Sequence, residues 1–280
     1  MDKNNDVSVI RDNFITIITV VLNAEKTIRR TIESVLFQSY PFVEYIIVDG
    51  KSTDRTLEYI RDYEERFLKK GFIYRVISEQ DNGLYFAMNK GIYMAEGEWT
   101  LFLNSDDYFV NRKVLDVVFS QDHYEADCLY GNTINYRDGI YYQKKAASDI
   151  KKIEYCVPLT HQALFVRTKV LKRYYFNEKY KFAADYEQWL RMYIDGIKYV
   201  YINENISVFS MEGFSQLNEK KYNSEWYSII SKNGYGKKHR GNILYRLYIV
   251  PFLKSQRLFL YIYLMIHRIK VEDGLLWMED

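Results

Sequence analysis

Two adjacent carboxylates, Asp106 and Asp107, follow the apolar run Trp99-Thr100-Leu101-Phe102-Leu103, separated from it only by Asn104 and Ser105. A five-residue run of this kind predicts a buried strand rather than a helix. Carboxylates fixed where a strand leaves its sheet repel each other unless a cation lies between them or they diverge into water. Mg²⁺ and Mn²⁺ answer this well, because they accept one or two carboxylates together with phosphate oxygens. The alternative at this point is a helix start, with Asn104 or Asp106 as cap before the segment from Asn111. Three further polar positions carry the same signature: Asn23 after one apolar run, Asp49 after a second, and Asp81 with Asn82-Gly83 after a third. In open α/β sheets the carboxyl ends of the strands form the ligand edge, so these positions converge on one rim. A carboxylate there accepts hydrogen bonds from a base N–H or ribose hydroxyls, and Asp49 and Asp81 fit nucleoside recognition.

The elements that must position these groups are legible as alternation. Phe14–Leu22 is β-branched and hydrophobic on both faces, as a buried parallel strand is. Ile28, Ile32, Val35 and Leu36 recur at helical spacing before Pro41. Val43–Val48 is a second strand, and Ser52-Thr53-Asp54 opens a helix with Leu57, Ile60 and Phe67 inward. Phe72–Ile77, Leu84–Ala95 and Trp99–Leu103 continue as strand, helix, strand. This βαβαβαβ order predicts an α/β fold, a Rossmann-like, mostly parallel central sheet with helices on both faces. Beyond Asp107 the pattern weakens. Asp127–Tyr136 and Ile140–Lys144 read as antiparallel strands around Arg137-Asp138-Gly139, Ala183–Tyr193 and Ser224–Ile230 as helices, and Lys198–Phe209 as a strand pair or one long strand.

The chain has 280 residues, enough for one large domain or a domain with an appendage, and its net charge of +2 gives no argument for nucleic acid. The cluster Lys237–Arg240 reads as a solvated or lipid-facing loop. Cys128 and Cys156 lack metal or disulfide-framework spacing. The polar N-terminus carries no secretory apolar core, which makes a cytoplasmic start the default. The first βα turn, Val20-Val21-Leu22-Asn23-Ala24-Glu25, has no GxGxxG, and no GxxxxGK[ST] occurs, so dinucleotide cradles and P-loops are excluded. What remains is a nucleotide diphosphate held mainly through a metal.

Taken together, these motifs carry a resemblance. Thr19–Ala24, Ile46–Asp54, Glu79–Gly91, Phe102–Asp107, Thr160-His161-Gln162 and Ala184-Asp185-Tyr186-Glu187 before Trp189 are similar to the motifs of family 2 glycosyltransferases of the GT-A fold, the bacterial type that builds surface polysaccharides. The resemblance covers about residues 14 to 210. It implies donor contacts from Val21, Asn23 and Glu25 after the first strand, and from Asp49 and Ser52 after the second. Asp81 and Gly83, with Asn89 and Lys90, follow the third strand, and Asn104, Ser105 and Asp106 the fourth. It also implies a divalent metal, Mn²⁺ or Mg²⁺, on Asp106 and Asp107, and inversion by direct displacement. One general base is then required; Asp185 is the candidate and Glu187 the runner-up. His161, Gln162, Glu187 and Trp189 are expected on the acceptor or diphosphate side. Two departures stand out. Asn104 occupies the place of the first aspartate of the usual DxD, and Ala184-Asp185 replaces the common Glu-Asp pair.

The implied activity is transfer of a hexose or N-acetylhexosamine from a UDP-sugar to a glycan or lipid-linked acceptor. A sugar nucleotidyltransferase would want glycine and a basic residue in the first turn, and a non-catalytic nucleotide-sugar-binding module would not need Asp106, Asp107 and Asp185 together. The expected organisation is a transferase domain over 1–215 (nucleotide half 1–107, acceptor half 108–215) and a helical segment over 216–280. Within it, residues 242–270 combine a nine-residue uncharged aromatic stretch with flanking Arg and Lys. That is too short to span a bilayer, and fits a helix on an inner-membrane surface or one packed on the domain or a partner subunit. The sequence leaves oligomeric state open.

Overall fold

The computed structural model describes residues 11–120, 125–137, 139–211 and 218–249. Strands β1 (Arg11–Val21), β2 (Val43–Asp49), β3 (Ile73–Ser78) and β4 (Gly97–Phe102) pair in parallel in the order β3-β2-β1-β4. Their intervening helices are α1 (Ile28–Leu36), α2 (Thr56–Asp62), α3 (Glu64–Lys70) and α4 (Leu84–Met94). The order turns back at β1, so the crevice beyond β1 and β4 is a topological switch point. Val21, Asp49 and Ser78 lie in register, which brings three strand ends to one rim.

Both faces of this sheet are buried, and the strands show why. Ile15, Ile17, Val43, Tyr45 and Ile47 enter one core with α1, α2 and α3, while Ile18, Val20, Ile46 and Val48 enter the other with α4. The period of two therefore survives inside runs that look uniformly apolar. Helix α4 lies close on β1: a Cβ on Gly91 would stand 2.6 Å from Ile18 Cγ2. The single helix expected after Ser52 is two helices meeting at Tyr63, whose hydroxyl donates to Glu33 Oε1 at 2.6 Å.

Past the rim come β5 (Tyr108–Phe109), α5 (Val114–Phe119), β6 (Cys128–Arg137) and β7 (Ile140–Lys144), then β8 (Leu164–Arg167), α6 (Thr168–Arg173), α7 (Ala184–Ile194) and β9 (Tyr199–Ser210). Here antiparallel pairs extend the sheet: β8 joins β4 to β6, and β7 takes over from β8 along β6 from Thr133 onward. The 198–209 region is one long strand parallel to β6.

Helix α8 (Glu219–Lys232) is no loose appendage. Trp226, Ile229 and Ile230 join α7's Tyr186 and Trp189 in the second core. Next come α9 (Tyr235–Lys238), α10 (Arg240–Leu244) and one π-turn over Tyr245–Ile249. The basic cluster read as a loop is partly pinned: Lys238 and His239 reach Glu154 Oε2 at 2.6 and 2.7 Å. Most of the 242–270 segment lies outside the described residues. Among the described residues no helix is long and apolar enough to cross a membrane.

Candidate active site

The loops after β1 and β2 are built as one unit. Asn23, at φ 51, accepts from the Thr53 N–H at 2.8 Å through Oδ1, and its own N–H donates to Ser52 Oγ at 2.8 Å. Glu25 and Asp54 exchange similar bonds, Arg55 N–H to Glu25 Oε2 and Glu25 N–H to Asp54 Oδ2, both 3.1 Å. Val21 is buried, and its carbonyl accepts from Gly50 N–H at 2.9 Å. Asp49 departs from expectation. It is 0% exposed, with Ser52 donating to Oδ1 and the Ser78 hydroxyl donating to Oδ2 at 2.6 Å. Its carboxylate shapes the turn after β2, and protein donors meet both of its oxygens.

Asp81 behaves differently. Lys90, which also pairs with Glu79 at 2.7 Å, holds Oδ1, while Oδ2 is buried without a hydrogen-bond partner among the described residues. A Cβ added at Gly50 would stand 3.5 Å from that oxygen, 3.5 Å from Leu22 Cδ1 and 3.6 Å from the Val21 carbonyl oxygen. Leaving an ionised oxygen buried and unbonded is costly, so the site is made for a donor that arrives with the ligand. Gly83, at φ 130, begins α4 in a conformation that side chains resist. Asn89 has other work: its amide bonds Phe176 on both sides and Glu178 Oε1 at 2.9 Å, tying α4 to the 176–178 loop.

The two carboxylates of the opening motif separate into different roles. Asp107 is 0% exposed; Gln162 Nε2 donates to Oδ2 at 2.8 Å and Ser210 N–H donates to Oδ1 at 3.0 Å. Its carbonyl accepts from Thr31 Oγ1 at 2.7 Å. Asp107 thus fastens the strand-four turn to α1, to the 161–163 turn and to β9, and protein donors meet both of the oxygens expected to ligate a metal. Gln162, expected on the acceptor or diphosphate side, gives its amide to Asp107. Asp106 and Ser105 stay partly exposed. Burial raises the Asp106 carboxyl above its ordinary range, against the opposing pull of its own backbone N–H and of Arg30. Burial and then the Asp106 charge push Asp107 up further.

Across the rim, Asp185 stands at the start of α7. Its Oδ1 accepts from Tyr186 N–H at 2.7 Å, and the Tyr85 oxygen lies 3.4 Å from it. Its Oδ2 lies 3.6 Å from His161 Nδ1, and His161 Nε2 is 2.9 Å from Asn104 Nδ2. With the amide donating to Nε2, the ring proton sits on Nδ1 and faces Asp185. Asn104 Oδ1 is buried and unpartnered among the described residues. One chain of side chains, Asn104–His161–Asp185, therefore joins the end of β4 to the start of α7. Glu187 points into an ion pair with Arg191 at 3.1 Å, and Trp189 is 2% exposed in the core, so neither is placed as an acceptor contact.

Sequence reasoning missed Tyr85 and Tyr222. Burial, followed by the Asp185 charge, pushes both hydroxyls well up, so both stay protonated. Tyr85 lies inside the quoted Glu79–Gly91 motif; Tyr222 has no sequence signal, being set by how α8 packs.

Among the described residues no three His, Cys, Asp or Glu side chains gather into a metal cage. The donor set still fits a divalent ion of the kind that takes one carboxylate and several ligand oxygens, because Asp106 is partly exposed and the Asn104 side-chain oxygen, two residues before it, has no hydrogen-bond partner among the described residues.

The family model for glycosyl transferase family 2 matches residues 16–205. The chain belongs to glycosyl transferase family 2. Curated relatives agree with this. A PGL/p-HBAD biosynthesis glycosyltransferase of Mycobacterium bovis is 30% identical over 185 residues, covering 64% of this chain and 69% of that protein. An Escherichia coli UDP-Glc:alpha-D-GlcNAc-diphosphoundecaprenol beta-1,3-glucosyltransferase is 29% identical over 191 residues, 66% and 72% of the two chains. Solved structures share the fold at lower identity. S. aureus TarS 1-349 in complex with UDP-GlcNAc aligns with TM-score 0.62 at 22% identity over 77% of this chain, which spans 64% of that longer chain. A Pyrobaculum calidifontis mannosyltransferase in complex with GDP-Man and Mn²⁺ aligns with TM-score 0.62 at 16% identity, covering 82% and 69%. This family 2 member is a glycosyltransferase of the GT-A fold, which sets aside the nucleotidyltransferase and non-catalytic readings.

Proposed function

We propose that this glycosyltransferase moves a sugar from a UDP-sugar to a hydroxyl of a glycan or lipid-linked acceptor, with inversion, using Asp185 as the general base. The observation that carries this reading is the Asn104–His161–Asp185 chain, which links the base candidate to the end of β4, two residues before Asp106. Asp81 Oδ2, buried and unbonded, accepts from the nucleobase; the turn held by Asp49, Asn23 and Ser52 backs the nucleoside. Asp106, with Asn104 nearby, is the residue that would hold Mn²⁺ or Mg²⁺. The metal supplies positive charge to offset what grows on the departing diphosphate.

The remaining work falls to the chain itself. Asp185 Oδ2 takes the proton of the attacking hydroxyl as its oxygen bonds to the anomeric carbon. The His161 Nδ1 proton faces that same oxygen and orients it toward the acceptor side. The Tyr186 N–H holds the other oxygen, so the carboxylate has one face left to act.

The lipid-linked acceptor is favoured by the diphosphoundecaprenol acceptor in the E. coli relative's name. The surface of the last described turn supports it as well: Leu244, Tyr245 and Tyr248 are exposed beside Arg240 and Arg246, an aromatic and basic mixture suited to the cytoplasmic face of a membrane. A nucleotide-release screen over UDP-, GDP- and dTDP-sugars, with and without Mn²⁺, tests the donor. Release from a GDP- or dTDP-sugar alone rejects the UDP assignment, and metal-independent release rejects the role of Asp106.

A further inference from the structure

Ala183 is the N-cap of α7, yet an alanine has no side chain with which to cap a helix. The N-cap residue and the two residues before it are anchored from elsewhere. Glu225 of α8 accepts from three successive backbone N–H groups: Lys181 at 3.0 Å through Oε1, then Phe182 and Ala183 at 2.9 Å each through Oε2. On the opposite side of the same peptide segment the Tyr85 hydroxyl donates to the Phe182 carbonyl at 3.1 Å. The segment is gripped on its N–H side by a carboxylate and on its C=O side by a phenol, and Asp185 follows two residues later. Glu225 itself is held firmly, because its neighbour Trp226 is 0% exposed and Ile229 and Ile230 are buried with it.

We propose that Glu225 is a positioning residue for Asp185: a carboxylate from α8, outside the residues 16–205 that the family model matches, fixes where α7 begins and hence where the base points. This rests on the reading of Asp185 as the base. The physical case has two parts. A carboxylate at a helix N-terminus is favoured both by the unbonded N–H groups and by the helix dipole. And a base serves only if held near its productive geometry, since a displacement of about 1 Å costs about a hundredfold in rate. A helix whose first turn carries the base, but which lacks a cap of its own, needs an outside anchor.

The test uses the full chain and the donor that the release screen selects, with Mn²⁺, following nucleotide release at saturating donor together with nucleotide affinity and thermal midpoint. Glu225→Gln keeps the shape but leaves one acceptor oxygen where three N–H groups need two. Turnover is expected to fall about 10- to 100-fold, with nucleotide affinity within about twofold of wild type. Glu225→Asp, which keeps both oxygens, is expected to recover part of the loss, and serves as the second variant should Glu225→Gln not fold. In an Asp185→Asn background Glu225→Gln is expected to cost nothing more, since it acts through the group already removed. The proposal is overturned by wild-type turnover in Glu225→Gln, by the same fold-loss in both backgrounds, or by turnover falling only in step with nucleotide affinity and thermal midpoint. Wild-type turnover in Asp185→Asn alone is a separate result; it removes the base reading, and the positioning role with it.

Discussion

His161 Nδ1 lies 3.6 Å from Asp185 Oδ2, while the other ring nitrogen meets the Asn104 amide at 2.9 Å. Asn104 is the departure from the usual DxD, and the geometry gives that departure a use. An aspartate at this position would offer no N–H to the ring, whereas the amide donates to Nε2 and leaves the ring proton on the side of Asp185. Replacing His161 with Phe keeps the bulk and removes both contacts. Transfer should fall about 10- to 100-fold, at the low end of what a positioned proton-handling group contributes, with nucleotide affinity little changed. Steady-state kinetics alongside calorimetric UDP binding will decide; unaltered turnover would take His161 out of the mechanism.

Asp185→Asn should leave donor binding intact and lower transfer by about 10² to 10⁴, the range for loss of a general base. Unchanged transfer would move the role to another group. Glu187 is poorly placed to inherit it, because Arg191 binds both of its oxygens.

The neighbours Asp106 and Asp107 should respond to substitution in opposite ways. Asp107→Ala strands the buried Gln162 amide and the Ser210 N–H, and should cost about 2 kcal/mol or more of stability. Asp106→Ala breaks no such bonds and should fold normally while losing metal-dependent transfer. Urea unfolding of the two variants, read beside their release rates, separates anchor from ligand; equal destabilisation would contradict the division.

Acid should reveal the same pair. Both carboxyls titrate above their ordinary range in the folded protein, Asp106 through burial and Asp107 through burial and the Asp106 charge. The folded state therefore binds protons more readily than the unfolded chain. In metal-free buffer the pair costs stability at neutral pH, and the cost is relieved as pH falls through the raised folded values toward the ordinary range near 4. The measurable quantity is the thermal midpoint of wild type minus that of Asp106→Asn, which should become more positive on acidification. A difference independent of pH would show that Asp106 carries no such burden.

Asp81→Asn tests the nucleoside side. Its unbonded oxygen is charged and buried, so the variant should weaken UDP binding about tenfold or more, as loss of a hydrogen bond to a charged group does. Turnover at saturating donor should change far less. Unchanged UDP affinity would leave Asp81 as a partner of Lys90 and nothing else.

The sequence by itself determined the parallel half of the fold, because the β-branched apolar runs Phe14–Leu22 and Val43–Val48, and helical spacing from Ile28 to Leu36, are local facts set by backbone geometry. It also singled out Asp106 and Asp185 as residues to watch, through strand-end position and family motif. What it could not decide was which of several similar side chains turn inward. Asp49 and Asp107 look like ligand groups in the sequence, and Trp189 and Gln162 like acceptor contacts; in the fold they are buried or bonded to protein. Burial at such positions depends on residues far along the chain. Ser210 reaches Asp107 across 103 positions, and Phe176 takes the Asn89 amide across 87. The same holds for Glu225 at the start of α7. A hydrogen bond between distant segments leaves no period in the sequence, so only the packed structure could say which carboxylates face the substrate and which hold the rim that presents them.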